Sequence, residues 1–333
     1  MPKPFISTRT MVGLQQGLDS SVGRRATDTA MMDEDIPIAA FETRRAFIPQ
    51  LSQLRFFERV ARKSGVENLV FSLGHDATID SYGVFGQYVA SSDSFIDALQ
   101  ITRDLMPYHS SHDRLSIDQD KNVLRLNYHA AVRNAEGYRH YATLAATVML
   151  SIAKPFFGNG FRRAIEFNFA KPRKITPYED HFGCDVFFDR PELSVVFDLE
   201  AAAQKRTNGI EKSVTLGDVA RDAICPAPRD LVSATEAIVR ASISSAVSID
   251  QVAFRLDYSE RTLRRRLEEC GTNFRDIAQK VRIETAQELI FEGNLTIAEI
   301  SKRVGYSTPS HFIRAFRQLN GLSPLQARAI TGS

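Results

Sequence analysis

The segment Ser248-Ile-Asp-Gln-Val-Ala-Phe-Arg-Leu-Asp-Tyr-Ser259 returns in altered form as Thr296-Ile-Ala-Glu-Ile-Ser-Lys-Arg-Val-Gly-Tyr-Ser307. Both copies keep apolar residues at three matched positions, one arginine before the turn and one tyrosine within it. Each begins with a capping box, in which a Ser or Thr and the Gln or Glu three residues later satisfy free backbone N–H groups of a helix. Each copy therefore predicts a short helix, a tight turn and a second helix, and two such units predict two helices that read DNA.

The second helix of each unit has one apolar and one polar face. Leu263 and Leu267 lie four residues apart in the first copy, and Phe312 and Phe316 do so in the second, which predicts that these pairs point inward. Arginines turned outward are suited to grip guanine in the major groove or to hold phosphates. The residues expected to contact DNA are Arg261, Arg264, Arg265, Thr308, Pro309, Ser310 and Arg314.

The connections between these helices also fit two DNA-reading units. Gly305 suits the positive φ of a tight helix-turn-helix corner, and Asp257 tolerates it at the equivalent place in the first copy. The apolar spacing over Phe274–Phe291 predicts one long helix between the units. At about 1.5 Å per residue this helix spans roughly 27 Å, of the same order as the helical repeat of DNA, about 34 Å.

Composition places the chain among ordinary globular proteins. It has 333 residues, 43% of them hydrophobic, and a net charge of +2, which favours two domains with a core in each. Basic residues outnumber acidic ones in the last hundred residues, which fits a nucleic-acid module. There is no apolar run of about 18 residues and no signal peptide, so we expect a cytoplasmic, nucleoid-associated protein that does not enter a membrane. The three cysteines, Cys184, Cys225 and Cys270, are too scattered for a disulfide framework or a zinc site, and no metal or cofactor is expected.

The rest of the chain predicts a second, mixed domain. Helical spacing covers Pro49–Lys63, Ser94–Met106 and Gly137–Ala153, and alternating patterns predict a hairpin near 114–128 and strands near 164–170, 184–188 and 193–197. An antiparallel sheet with flanking helices gives an α+β fold. The predicted organisation is a loosely ordered arm over 1–35, an α+β domain over 36–200, a linker over 201–230 with a short helix in 213–224, and an all-α DNA-binding domain of seven helices over 231–333.

The C-terminal part resembles a known family. Ser259-Glu-Arg-Thr-Leu-Arg-Arg-Arg-Leu267, Gly305-Tyr-Ser-Thr-Pro-Ser-His-Phe-Ile-Arg-Ala-Phe-Arg317 and Gly321-Leu-Ser-Pro324 resemble the DNA-binding domain of AraC/XylS transcription regulators over about 231–330. The resemblance implies two recognition helices, at 259–267 and 307–317, with base contacts at Arg261, Arg264, Arg265, Pro309, Ser310 and Arg314. Pro309 departs from the polar residue that the family often has there.

The N-terminal part resembles, more weakly, the arabinose-binding-like domain of the same family. Its resemblance lies in Leu73-Gly74, Tyr82-Gly-Val-Phe-Gly86, Ser91-Ser-Asp-Ser-Phe-Ile-Asp-Ala-Leu99 and His181-Phe-Gly-Cys-Asp-Val-Phe-Phe188. The resemblance implies a domain that binds a small-molecule effector and forms dimers, and it does not identify the effector as a sugar. The aromatic and histidine residues expected to line the effector site are Tyr82, Phe85, Tyr108, His109, Tyr128, His129, Tyr138 and Tyr141.

These patterns favour one function and leave one alternative open. The favoured function is a transcription regulator, an activator by family habit, that binds double-stranded operator DNA as a homodimer, contacts RNA polymerase and responds to a small molecule. In the alternative, a protein partner or abundance controls a DNA-binding regulator whose N-terminal domain only serves oligomerisation. A DNA alkyl-transfer repair enzyme would need a nucleophilic cysteine and a four-cysteine zinc site. Hydrolase motifs are also missing, so the sequence indicates a protein that is not an enzyme.

Overall fold

The structure, a computed structural model, describes residues 3–12, 14–38, 44–66, 68–73, 77–157, 163–203, 214–223, 226–243 and 247–331. It divides into two compact units, Pro4–Ala227 and Pro228–Ser333, the latter together with Met1–Lys3. No helix in the described ranges is both long and apolar enough to cross a membrane.

The N-terminal unit is built on a five-stranded sheet. Its strands lie in the order β3-β4-β7-β5-β6, and a separate two-stranded ribbon pairs β1 with β2. The strands are β1 Phe5–Ser7, β2 Phe47–Pro49, β3 Arg114–Asp120, β4 Val123–His129, β5 Arg163–Glu166, β6 Asp185–Phe187 and β7 Leu193–Asp198. The expected hairpin is confirmed as β3 and β4, which pair from Arg114 opposite His129 to Asp120 opposite Val123. The sheet is antiparallel except for β5 and β6, which run parallel.

Helices of the N-terminal unit pack around this sheet and share one hydrophobic core with it. The three helices expected over Pro49–Lys63, Ser94–Met106 and Gly137–Ala153 are confirmed, with shifts of one or two residues at their ends. The helices are α1 Leu14–Val22, α2 Arg24–Asp33, α3 Gln50–Ser64, α4 Leu69–Ser72, α5 Val84–Ala90, α6 Phe95–Asp104, α7 Tyr138–Ser151, α8 Lys154–Phe157, α9 Thr176–Phe182, α10 Leu199–Ala202 and α11 Leu216–Ala223. Short 3-10 turns lie at Thr8–Thr10, Ile79–Tyr82 and Met106–Tyr108.

The expectation of a loosely ordered arm over 1–35 is wrong for the described part of that segment. Strand β1 pairs with β2, which lies some forty residues later. Helices α1 and α2 follow, and their apolar side chains, among them Leu14, Leu18 and Ala30, lie in the core. Long-range pairing and burial therefore stabilise a segment whose own composition is polar and rich in small residues.

The expected linker is in part a component of the N-terminal unit. The short helix expected within 213–224 is α11, and its Val219 is buried in the core of this unit. The Ala227 N–H donates to the Pro107 carbonyl at 2.8 Å. Residues 204–213 and 224–225 of the expected linker lie outside the described ranges.

The C-terminal unit consists, in its described residues, of seven helices, as expected. They are α12 Leu231–Ala241, α13 Ile249–Arg255, α14 Glu260–Glu269, α15 Phe274–Glu292, α16 Ile297–Arg303, α17 Pro309–Asn320 and α18 Pro324–Thr331. The apolar face of α15, including Ile283, Ala286 and Ile290, packs in one cluster with Phe312 and Phe316 of α17.

Candidate DNA-binding surface and effector cavity

Both helix-turn-helix units form as the repeat predicts. The first is α13 and α14 and the second is α16 and α17. The turn residues Asp257 and Gly305 adopt positive φ angles of 55° and 81°, so both corners have the left-handed backbone conformation expected for them. The start of each first helix is also fixed by its capping residues: Gln251 accepts from the Ser248 N–H at 3.0 Å, and Glu299 accepts from the Thr296 N–H at 2.7 Å.

The inward residues of the recognition helices α14 and α17 are those expected from their spacing. Leu263 and Leu267 in α14, and Phe312 and Phe316 in α17, are all fully buried. Ser259 and Thr308 accept hydrogen bonds from backbone N–H groups in the first turn of α14 and α17. All seven residues expected to contact DNA are exposed: Arg261, Arg264, Arg265, Thr308, Pro309, Ser310 and Arg314.

The exposed arginines differ in their neighbours. Arg264 pairs with Glu260 at 2.6 Å, and Arg265 approaches Glu269 at 3.6 Å. Arg261 and Arg314 form no ion pair with any residue in the described part of the chain. A phosphate that approached this surface would compete with a carboxylate for Arg264 and Arg265 but not for Arg261 and Arg314. Exposed ion pairs of this kind are weak and salt-sensitive.

One basic residue on α17 was not among the expected contacts. Arg317 is exposed and lies one helical turn beyond Arg314, so Ser310, Arg314 and Arg317 form one stripe at i, i+4 and i+7. The spacing was visible in the sequence, and it makes Arg317 a candidate phosphate contact at the end of the same surface.

The turn tyrosines pack within the unit. The Arg266 guanidinium lies 4.7 Å from the centre of the Tyr258 ring and donates to its hydroxyl at 2.9 Å. Tyr306 lies 5.6 Å from Phe312 and carries Arg282 over its ring at 5.9 Å. These contacts tie each turn to a neighbouring helix.

Helix α15 connects the two helix-turn-helix units and packs against other helices of the C-terminal unit. Asn273 caps its start, accepting from the Asp276 N–H at 3.0 Å, and Gly293 ends it with a φ of 75°. Arg240 of α12 pairs with Glu284 at 2.8 Å and with Glu288 at 2.9 Å. Since α15 has 19 residues, it spans about 28 Å, and its packing against α12 and α17 favours a rigid spacer.

The N-terminal unit contains a cavity of about 50 Å³, called the effector cavity below because several residues expected at an effector site line it. Five of the eight residues expected at an effector site line it: Tyr82, Phe85, His109, Tyr128 and Tyr141. The remaining walls are formed by Thr10, Ile79, Thr102, Met106, Leu115, Leu144, Ala145, Val148, Met149 and Ile152. The structure thus brings together residues from helices α5, α6 and α7, from strands β3 and β4, and from the three short 3-10 turns.

The other three expected effector residues do not line this cavity. Tyr108 is half-buried, and its carbonyl accepts from Arg9. The two ring nitrogens of His129 meet Ser116 at 3.0 Å and Glu192 at 3.1 Å. The Tyr138 hydroxyl donates to Asn168 at 2.9 Å. The side chains of His129 and Tyr138 are engaged elsewhere, and the Tyr108 ring packs against the core of the unit. These positions depend on tertiary partners and not on residue type.

A buried carboxylate lies behind one wall of the effector cavity. The Asp113 Oδ2 atom accepts from Gln50 at 2.6 Å, from the Tyr128 hydroxyl at 2.7 Å and from the Tyr141 hydroxyl at 2.8 Å. Burial is the main cause that raises the pKa of Tyr128 and Tyr141, with the Asp113 charge adding to it. Both tyrosines therefore remain protonated and stay bound to this carboxylate.

His109 and Tyr82 line the same cavity. Burial, aided by the nearby Arg9 charge, lowers the pKa of His109 to about 3, so its imidazole is neutral at neutral pH. Burial raises the pKa of Tyr82, which keeps its hydroxyl protonated. The two rings lie 5.2 Å apart.

Arg9 is a functional candidate that the sequence did not reveal. Its side chain is 1% exposed, lies 5.8 Å from the centre of the Phe85 ring, and pairs with Asp222 of α11 at 3.1 Å. Helix α11 also packs against α5, which carries Phe85. Arg9 therefore links a wall of the effector cavity to the last described helix of the N-terminal unit.

Comparison with models of known protein families identifies the family of each unit. Residues 26–205, more than half of the chain, match the model of the arabinose-binding domain of AraC transcription regulators, N-terminal part. The chain belongs to the AraC family of transcription regulators. Residues 241–330 of this AraC-family protein match a helix-turn-helix domain, which includes both recognition helices.

Individual relatives of this AraC-family protein are similar over shorter stretches. It is 34% identical over 89 residues to the HTH-type transcriptional activator CfaD of Escherichia coli, covering 27% of this chain and 34% of CfaD. It is 31% identical over 87 residues to the virulence regulon transcriptional activator VirF of Shigella flexneri, covering 26% of this chain and 33% of VirF. The chain spans about a third of the length of these relatives.

Two solved structures match parts or most of the chain. The transcriptional regulator CdpR from Pseudomonas aeruginosa is matched over 92% of this chain and 97% of its own, at 19% identity and a TM-score of 0.41. The C-terminal domain of AraT, a response regulator from Geobacillus stearothermophilus, is matched over 31% of this chain and 86% of its own, at 34% identity and a TM-score of 0.28.

Proposed function

We propose that this AraC-family protein is a sequence-specific DNA-binding transcription activator that a small molecule controls through the N-terminal unit. The observation that carries the proposal is the pair of capped recognition helices, each fully buried on one side and exposed with arginines on the other. A helix with this polarity places its exposed side chains in a major groove while its apolar face remains in the core of the protein.

The exposed residues supply the chemistry for reading and holding DNA. A guanidinium fork matches the O6 and N7 acceptors of guanine, so Arg261, Arg265 and Arg314 are the proposed base contacts. Arg264 and Arg265 lie beside Glu260 and Glu269, so each must first leave a weak, exposed ion pair. Arg264 is proposed to bind phosphate or base once its pair opens. Thr308, Pro309 and Ser310, at the start of α17, would approach the duplex where backbone N–H groups favour phosphate.

Control by a small molecule is supported by the effector cavity and by the Arg9–Asp222 ion pair. A ligand controls a protein only by binding one of its conformations better than another. The cavity wall at Phe85 contacts Arg9, and Arg9 holds Asp222 on α11. A ligand that moved this wall would therefore bias the position of α11, from which the chain continues into the DNA-binding unit.

Further partners follow from the same proposal. The protein would bind operator DNA as a homodimer, contact RNA polymerase, and act in the cytoplasm on the nucleoid, without enzymatic activity. Sedimentation of the full chain, with and without operator DNA, tests the dimer: a mass that stays monomeric at every concentration contradicts it.

The experiment that tests the proposed function is genome-wide mapping of bound sites, followed by transcription from a mapped promoter with purified RNA polymerase. Enrichment at discrete promoters and a rise in transcript supports a sequence-specific activator. Binding without promoter enrichment contradicts sequence-specific regulation. Cells in which promoter occupancy follows protein abundance alone, whatever compounds are supplied, would favour the alternative in which the N-terminal unit serves only oligomerisation.

A further inference from the structure

The walls of the effector cavity are mainly apolar. Ile79, Phe85, Leu144, Val148 and Ile152 contribute carbon surface only. Met106 and Met149 also line it, and their unbranched side chains adapt readily to the shape of a guest. A molecule inside would therefore be held chiefly by removal of its apolar surface from water.

Most polar groups in these walls are already engaged with the protein. The Thr10 hydroxyl donates to the Ser7 carbonyl and accepts from Gln53, at 3.1 Å and 2.6 Å. The Thr102 hydroxyl donates to the Ala98 carbonyl at 2.7 Å. The hydroxyls of Tyr128 and Tyr141 are held by the buried Asp113 carboxylate. A ligand would have to break these hydrogen bonds before it could use any of these groups.

Two polar groups remain available to a ligand. His109 is only 6% exposed, and its buried Nδ1 atom has no hydrogen-bond partner. The Tyr82 hydroxyl makes no hydrogen bond to any residue that the structure describes. Buried polar groups are nearly always paired in folded proteins. The open His109 nitrogen, with an unbonded Tyr82 hydroxyl on the same cavity, therefore indicates a place where a ligand or water completes the pairing.

The side chains that the structure places in the cavity wall carry no charge. His109 is neutral, and Arg9, which is not among the lining residues, pairs with Asp222 at 3.1 Å. An anionic ligand would meet no free cation there and would lose its hydration. A sugar would bury several hydroxyl groups opposite only two open partners, and each unpaired hydroxyl weakens binding.

We propose that the effector cavity binds a small, uncharged, largely apolar molecule with one hydroxyl group, which hydrogen-bonds to His109 and Tyr82, and does not bind a sugar. This inference deepens the proposed control by a small molecule and rests on it. A hydroxyl group both donates and accepts, so it pairs with His109 and Tyr82 whichever imidazole nitrogen carries the proton. The volume of about 50 Å³ is smaller than the roughly 150 Å³ of a cavity known to hold benzene. A single ring therefore enters only when Met106 or Met149 changes rotamer.

Phenol and benzene form a matched pair of probes, because they differ only in the hydroxyl group. Binding to the full chain is measured by calorimetry and by the shift of the thermal unfolding midpoint, with L-arabinose and benzoate as competitors of the excluded classes. We expect saturable stabilisation by phenol, an affinity about tenfold above that of benzene, and no effect of L-arabinose or benzoate. Met149→Ala enlarges the cavity and should strengthen binding of both ring probes, whereas Ala145→Leu fills it and should abolish binding.

The variant Tyr82→Phe with His109→Phe tests the two polar partners. It should reduce the preference for phenol over benzene to about one while benzene still binds. Stabilisation by L-arabinose or benzoate that Ala145→Leu removes would overturn the proposed ligand class. Absence of any phenol binding to both the native chain and Met149→Ala would overturn it as well.

The failure of this inference and that of the proposed function are separable by measuring operator affinity with each bound probe. If phenol binds as described but operator affinity does not change, the ligand class stands and the proposed control fails. If L-arabinose binds in the cavity and changes operator affinity, the control stands and the ligand class is wrong.

Discussion

Arg265 and Arg314 occupy matching places in the two recognition helices, each two residues beyond an inward apolar side chain. If each grips a guanine, replacement by Ala should weaken operator binding by roughly 1–3 kcal/mol and relax the sequence preference at one base pair. Lys is the matched control, because it keeps the charge but loses the bidentate fork. The measurement is affinity for operator and for unrelated duplex over a range of salt. Equal losses on every sequence, a shallower salt slope and rescue by Lys would identify phosphate contacts instead.

His109 makes the stability of the N-terminal unit depend on pH. Burial lowers its pKa to about 3, while in the unfolded chain a histidine has a pKa near 6.5. Below about pH 6.5 the unfolded state therefore binds a proton at His109 that the folded state does not bind. The contribution of this histidine to stability is fully present above about pH 6.5 and is lost as the pH drops towards 3. Between pH 7 and 5 this histidine should account for a loss of roughly 2 kcal/mol. Urea unfolding at pH 7 and pH 5 should show that the His109→Gln variant loses roughly 2 kcal/mol less stability between the two pH values than the native chain. An equal loss in both proteins would show that His109 is not the group responsible.

At the scale of elements, the sequence predicted those helices and turns that are determined by residues close together in the chain. Caps, a positive-φ corner and inward pairs at helical spacing lie within a few residues of one another, so both helix-turn-helix units were visible in the sequence. The pairing of β1 with β2, the parallel pairing of β5 with β6, and the burial of Arg9 depend on partners far along the chain. Arg9 and Asp222 are 213 residues apart, and no composition or spacing connects them. The same limit explains why Tyr108, His129 and Tyr138 were expected at an effector site together with the five residues that do line the cavity.

The ion pair between Arg9 and Asp222 should hold helix α11 to the N-terminal unit. Both side chains are largely buried, so Asp222→Asn leaves an uncompensated guanidinium and should lower the free energy of unfolding by roughly 3 kcal/mol. The double variant Arg9→Met with Asp222→Leu removes both charges and should recover most of that loss. Arg221→Gln, an exposed change on the same helix, serves as the control and should alter stability by less than about 0.5 kcal/mol. Denaturant unfolding of the full chain decides, and strictly additive effects of the two single variants would show that the pair is not coupled.

The whole C-terminal unit makes a geometric prediction about its operator. Helix α15 packs against α12 and shares a hydrophobic core with the second helix-turn-helix unit. The two recognition helices should therefore reach successive major grooves on one face of the duplex, about 10 base pairs apart. Inserting 5 base pairs between the two contacted segments turns one to the opposite face, and inserting 10 restores the face but adds roughly 34 Å. A rigid spacer cannot follow either change, so both insertions should lower affinity to that of an operator with one segment scrambled. A flexible connection would tolerate the insertion of 10 base pairs. Footprinting of the native operator and the two insertions distinguishes these outcomes, with Arg314→Ala as the control that weakens one segment only.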